Sequence, residues 1–152
     1  MNPQCEKVLK TATVSGVLQE DHSSRRILLH LVNGSDGPLW VPQEADPAYR
    51  VDRKGSTLII SYGYDDEVYG SHRAHYMLPP FHLLPKGETF EWYVSSPRLV
   101  EIAFQPEFHS VVQVRTAVRH FEQTNVRGAQ DLDGYIQNSC VLKSENFARQ
   151  PK

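Results

Sequence analysis

Short stretches in which apolar and polar residues alternate recur along most of the chain. The clearest is 111–121, where Val112, Val114, Thr116 and Val118 share one face of an extended segment, while Gln113, Arg115 and Arg119 share the other. A period of two is typical of a strand that buries one face. The same alternation at 90–94 and 100–104 predicts two further strands.

The remaining strands are predicted from β-forming composition and turn residues. Runs of strand length occupy 26–32 and 57–62, and the turn-rich segment after the first run precedes a short return strand at 39–41. Residues 49–53 and 57–62 flank a loop with the glycine that tight hairpins favour, so we expect a hairpin there. With β-forming residues also at 8–18 and 135–142, the sequence predicts about eight or nine strands, at the spacing expected of a sandwich or a barrel.

One long interruption separates these strands. Residues 63–80 are polar, aromatic and proline-rich, which predicts a long loop, and such loops in compact domains are often functional. The only short helical turn is predicted within 122–130.

The chain of 152 residues is long enough for one buried core. We therefore expect a single β-sandwich domain over 1–152, with flexible termini at about 1–7 and 144–152. A net charge of −2 argues against nucleic acid and anionic membranes as partners.

No apolar run approaches the roughly 18 residues of a membrane helix, and the first residues lack the apolar core of a signal peptide. We therefore expect a cytoplasmic protein. Cys5 and Cys140 are too few for a disulfide framework, so both are predicted to be reduced.

Three segments together carry a resemblance to a known kind of domain: an Asn-rich turn at 31–39, a Pro-x-Gly-Glu corner at 84–90 and a glycine-led final segment at 134–142. The chain resembles small bacterial immunoglobulin-like sandwiches. The resemblance implies an all-β, two-sheet antiparallel sandwich and a binding function, as in adhesion, protease inhibition, chaperoning and toxin neutralisation. The chain departs from antibody-type domains because it lacks their Cys-Trp-Cys spacing.

The long interruption contains the main candidate for partner contact, in which three consecutive acids lie among tyrosines. The candidate residues are Tyr64, Asp65, Asp66, Glu67 and Tyr69. Tyrosines supply contact area at low entropic cost and acids steer a basic partner. The alternative is a solvated turn whose tyrosines pack back on the sheet.

The two tryptophans receive different interpretations. Trp40, beside two prolines on a short strand, joins the candidate contact residues, although a core position is equally compatible with its sequence. Trp92 shares a face with Phe90 and Val94, which favours the core.

Histidines provide an alternative site. His72, His75 and His82 could bind a metal ion, with oxygen ligands from the neighbouring acids. Motifs for hydrolysis or phosphate binding are missing from the sequence, so we expect neither an enzyme nor a cofactor.

These observations favour a non-enzymatic protein-binding module. Its most specific form is an immunity-type protein that neutralises a bacterial toxin by binding a basic cleft on it. The alternatives are a metal-binding protein or metal-dependent enzyme that uses the histidines, and a structural or assembly module whose open sheet edge recruits a strand.

Overall fold

The computed structural model describes residues 2–70, 76–122 and 132–150. Within these residues the chain forms ten strands and four short helices. In chain order they are α1 (Pro3–Thr11), β1 (Ala12–Glu20), β2 (Arg25–Asn33), β3 (Leu39–Pro42), β4 (Ala48–Asp52), β5 (Thr57–Tyr62), α2 (Asp66–Tyr69), β6 (Phe81–Leu84), β7 (Thr89–Tyr93), α3 (Pro97–Ala103), β8 (His109–Ala117), α4 (Leu132–Gln137), β9 (Ser139–Lys143) and β10 (Ala148–Arg149).

The strands form two sheets. Sheet one has the order β10-β1-β2-β7, and sheet two has the order β4-β5-β8-β3-β6, with β9 also paired to β8. The prediction of an all-β, two-sheet sandwich is confirmed. Most neighbouring strands are antiparallel, as expected, but β5 pairs with β8 in parallel and β10 pairs with β1 in parallel.

The main core lies between the sheets, because alternate residues of each sheet point towards the other. In sheet two the inward-facing side chains are buried and apolar: Leu58, Ile60, Val112, Val114 and Leu142. They pack with the buried residues Ile27, Leu29 and Leu31 of β2. The intervening residues of β5, β8 and β9 therefore lie on the outer face of sheet two, where the candidate site is found.

Local sequence signals correctly located several elements. The predicted hairpin is present as β4 and β5, and Asp52 Oδ1 accepts a hydrogen bond from the Lys54 N–H at 3.1 Å in the turn. The strands expected around 26–32, 39–41, 90–94 and 111–121 are also present. Trp92 packs against the main core, as predicted.

Three predicted strand segments are helical. Residues 100–104 lie largely in α3, which begins after Ser96, whose Oγ accepts a hydrogen bond from the Leu99 N–H, and has Pro97 in its first turn. Leu99 and Ala103, four residues apart, form its buried face. Residues 8–11 belong to α1 and residues 135–137 to α4.

The termini, predicted to be flexible, also form secondary structure. Asn2 caps α1 by accepting a hydrogen bond from the Gln4 N–H, and β10 pairs with β1 near the other end. Cys5 of α1 and Cys140 of β9 form a disulfide, so the prediction of two reduced thiols is wrong. The sequence separation of 135 residues explains the error, because the two cysteines meet only when the chain has folded.

None of the helices among the described residues is long and apolar enough to cross a membrane. The helical turn predicted within 122–130 lies almost entirely outside the described residues, which resume at 132.

Candidate functional site

The long connection after β5 begins with a tight turn at Gly63. Gly63 has a φ of 87°, and a Cβ added there would lie 2.4 Å from the Tyr135 hydroxyl and 3.0 Å from Arg115 Cβ. Both the positive φ and this close approach require glycine. The next residue is held on the outer face of sheet two, because Arg115 Nε donates to the Tyr64 carbonyl at 2.9 Å.

Asp65 fixes the segment that follows. Its Oδ2 accepts hydrogen bonds from Ser61 Oγ at 2.6 Å, Arg50 Nε at 3.3 Å and Gln113 Nε2 at 3.4 Å. Its Oδ1 accepts from the Glu67 N–H at 2.9 Å, which makes Asp65 the N-cap of α2. One carboxylate therefore ties α2 to three strands of sheet two.

The charge of Asp65 is compatible with its burial because it has these partners. Burial by itself would raise the pKa of Asp65, but the hydrogen bonds from Ser61 and the Glu67 N–H, together with the charge of Arg50, outweigh that effect. The pKa of Asp65 therefore lies below its usual value, and the side chain is ionised at neutral pH.

The tyrosines of the segment pack against one another. Tyr64 stacks on Tyr69 with ring centroids 5.5 Å apart, and Tyr76 meets both rings edge-on at 5.5 Å and 5.0 Å. Tyr64 and Tyr76 belong to a second apolar cluster with Phe121 and Tyr135. Of the two interpretations of this segment, packing on the sheet describes Tyr64, which is only 2% exposed.

Glu44 lies beside this second cluster, and the sequence analysis did not identify it as a site residue. Its Oε1 accepts a hydrogen bond from the Gly63 N–H, and burial raises the pKa of Glu44 to about 7. Its charge in turn adds to the effect of burial in raising the pKa of Tyr76 and of Tyr135. No pattern near Glu44 signals its burial, since its partner Gly63 lies nineteen residues away.

A cleft opens between α2 and the outer face of sheet two. Its volume is about 280 Å³. Its lining includes the acids Asp66 and Glu67 from α2 and the cations Arg115 and Lys143 from β8 and β9. Asp65 and its partners Arg50, Ser61 and Gln113 also line it.

The predicted contact residues thus differ in exposure and in position relative to the cleft. Tyr64 and Asp65 are buried and hold the segment in place, whereas Asp66 and Glu67 are exposed at the cleft and Tyr69 is half-buried. Trp40 lies outside the cleft lining, half-buried against the second cluster and opposite Leu83 of β6.

The histidines are only partly described. His72 and His75 lie outside the described residues, while His82 stacks on Phe90 with ring centroids 4.1 Å apart. In the described part of the chain, no three His, Cys, Asp or Glu side chains are grouped so that they could hold a metal ion. The site formed by all three histidines stays a prediction.

Comparisons of the chain with protein-family models, with curated proteins and with solved structures find no match.

Proposed function

We propose that this chain is a non-enzymatic protein-binding module whose contact surface is formed by α2 and the adjoining cleft. The observation that carries the proposal is the anchoring of α2 by Asp65. That anchor holds a single helical turn on which the next three residues, Asp66, Glu67 and Val68, are all exposed.

The anchoring matters because ordering a loop costs conformational entropy when it binds. Asp65 is hydrogen-bonded to β4, β5 and β8, so this cost is met during folding and not during association. The exposed side chains are therefore presented in a defined arrangement before a partner arrives.

The chemistry of the exposed residues indicates a basic partner surface. Asp66 and Glu67 supply two adjacent negative charges, and Val68, with 38% of its surface exposed, supplies apolar contact. Exposed acids mainly increase the rate of encounter and set orientation, while desolvated apolar groups supply more of the affinity.

The most specific form of this proposal is an immunity-type protein that covers a basic cleft of a bacterial toxin. It is supported by the resemblance to immunoglobulin-like sandwiches and by the acids on α2. The Cys5–Cys140 disulfide favours action in a non-reducing compartment, which argues against the cytoplasmic location expected from the sequence.

The test is capture of the partner from the native cells with three versions of the chain. These are the original sequence, an α2 variant carrying Asp66→Lys and Glu67→Lys, and a control carrying Glu101→Lys and Glu107→Lys. All four acids are exposed, and the two control positions lie outside the cleft lining. Asp65 is left unchanged, because its removal would release α2.

We expect the original and the control to retain the same main protein, and the α2 variant to retain roughly tenfold less of it. Equal retention by the α2 variant, with its folding verified by circular dichroism, would contradict the proposal.

A further inference from the structure

The side chains that β8 and β9 contribute to the cleft lining differ in charge from those of α2. Arg115 and Lys143 both project from the outer face of sheet two, since Gln113 pairs with Lys143 and Arg115 pairs with Val141 in the β8–β9 register. Arg115 and Lys143 are thus diagonal neighbours, and side chains in this relation are within reach of a common group. Val141 lies beside them as the apolar part of the same lining.

Neither cation is neutralised within the described residues. The ion pairs found in 2–70, 76–122 and 132–150 join Arg25 to Glu20, His30 to Glu91 and Arg50 to Asp65. Arg115 instead donates from Nε to the Tyr64 carbonyl and from Nη1 to Ser139 Oγ at 3.2 Å, both of which are uncharged acceptors. Two positive charges therefore face the cleft, and neither forms an ion pair with a described carboxylate.

The third cation of the cleft, Arg50, differs in this respect because its charge is already engaged by Asp65 at 3.3 Å. The cleft is consequently divided into an acidic side at Asp66 and Glu67 and a basic side at Arg115 and Lys143. A ligand that satisfies both sides must carry charges of both signs.

We propose that Arg115 and Lys143 receive the side-chain carboxylate of an Asp or Glu on the partner protein. This inference rests on the proposed function and adds a requirement to it, namely that the partner's contact segment has an acidic residue flanked by basic ones. The acid enters the cleft and pairs with the Lys143 ammonium and with guanidinium N–H groups that Arg115 does not use internally. The flanking bases meet Asp66 and Glu67.

Size and charge both favour a single carboxylate over larger anions. About 280 Å³ is at the lower limit for sites that enclose a whole small molecule, but it accommodates one side chain. A polyanion such as nucleic acid would bring further negative charge against Asp66 and Glu67, in a chain whose net charge is already −2.

A zero-length carbodiimide cross-linker tests the contact directly, because it joins an amine only to a carboxylate that touches it. The complex with the captured partner is treated with the reagent and digested, and cross-linked peptides are identified by mass spectrometry. We expect an isopeptide bond between Lys143 and an Asp or Glu of the partner, and no such bond at Lys54, which is exposed outside the cleft.

Two variants complete the test. Lys143→Arg keeps the charge but has no amine, so it should retain binding and lose the cross-link. Lys143→Glu reverses the charge and should weaken affinity roughly tenfold. A cross-link from Lys143 to Asp66 or Glu67 of its own chain in the complex, or an unchanged affinity in Lys143→Glu, would overturn the inference.

These outcomes separate the two proposals. If the α2 double variant loses the partner while Lys143→Glu binds it normally, the carboxylate site is wrong and the protein-binding surface stands. If the α2 double variant binds the partner normally, the proposed surface itself is wrong, and the carboxylate site that depends on it is wrong as well.

Discussion

Glu44 lies between β3 and β4 and Asp65 lies just after β5, and the fold shifts the pKa values of these two acids in opposite directions. Burial dominates at Glu44, whose carboxyl accepts the Gly63 N–H, and raises its pKa to about 7. Asp65 is also buried, but its hydrogen-bond donors and Arg50 more than offset the desolvation of its charge. The donors and the nearby cation at each carboxylate therefore decide the direction in which its pKa moves.

The sequence analysis assigned partner contact to Asp65, Asp66 and Glu67 alike, and the structure gives these three acids different environments. The structure separates them because an N-cap side chain folds back on its own helix, and because Gln113, 48 residues away, also binds Asp65. Local composition identifies such a segment. It does not show which of the acids meets a distant strand.

Replacement of Glu44 by Gln should change how stability depends on pH. Because the pKa of Glu44 is about 7 in the folded state and near 4.3 when unfolded, the folded state binds the proton more tightly. The original protein should thus lose stability as pH rises from about 4.5 through 7, whereas Glu44→Gln lacks this contribution. We expect the variant to gain ~1–3 kcal/mol relative to the original between about pH 5 and pH 8.

Urea unfolding of both proteins over that pH range measures the difference directly. Subtracting the two curves removes the other titrating groups, which the proteins share. A difference that stays constant with pH would show that Glu44 has an ordinary pKa.

The sequence predicted strands correctly where one face of the strand is buried over several residues. The strand β8 buries Ser110, Val112, Val114 and Thr116 in strict alternation, and this pattern is visible in its sequence. Val100, Ile102 and Phe104 alternate in the same way, but Ser96 and Pro97 start the helix α3, which ends at Ala103. Capping residues therefore outweigh a short alternation.

The attachment of α1 depends on a covalent bond that the sequence did not reveal. Cys5 and Val8 are the buried residues of α1, and Cys5 is bonded to Cys140 of β9. Reduction should lower the free energy of unfolding by roughly 2–5 kcal/mol, because the bridge closes a very long loop. Urea unfolding with and without a phosphine reductant measures this, with a Cys5→Ala, Cys140→Ala double variant as the control that should not respond to it.

A count of free thiols in the denatured, non-reduced protein provides an independent check. We expect none. Two reactive thiols, or an unfolding midpoint that does not respond to reductant, would contradict the bridge.

For the molecule as a whole, alternation and turn residues in the sequence predicted the two-sheet architecture. They did not predict which residues pack over the outer face of sheet two. The second apolar cluster brings Tyr64 and Tyr76 of the 63–80 connection together with Tyr135 of α4. Phe81 of β6 packs against the same cluster, with its ring centroid 5.5 Å from that of Tyr135. The residues of this cluster lie far apart in the chain, and no regular spacing in the sequence connects them. The parallel pairing of β5 with β8 was missed for the same reason.

Because the 63–80 connection packs over sheet two, acidic and basic side chains line one cleft, and the proposed function depends on both. The outer face of sheet two carries Arg115 and Lys143, and the anchored turn brings Asp66 and Glu67 to the lining of the same cleft. A net charge of only −2 therefore conceals a strongly polarised site.

The rate and salt dependence of partner association test the central claim most directly. Surface plasmon resonance would compare the original chain, Asp66→Ala with Glu67→Ala, and the control pair Glu101→Ala with Glu107→Ala, from about 50 to about 200 mM salt. We predict that the α2 variant associates more slowly, binds roughly tenfold more weakly at the lower salt and depends less on salt, while the control matches the original. Unchanged affinity and unchanged salt dependence in the α2 variant would contradict the account.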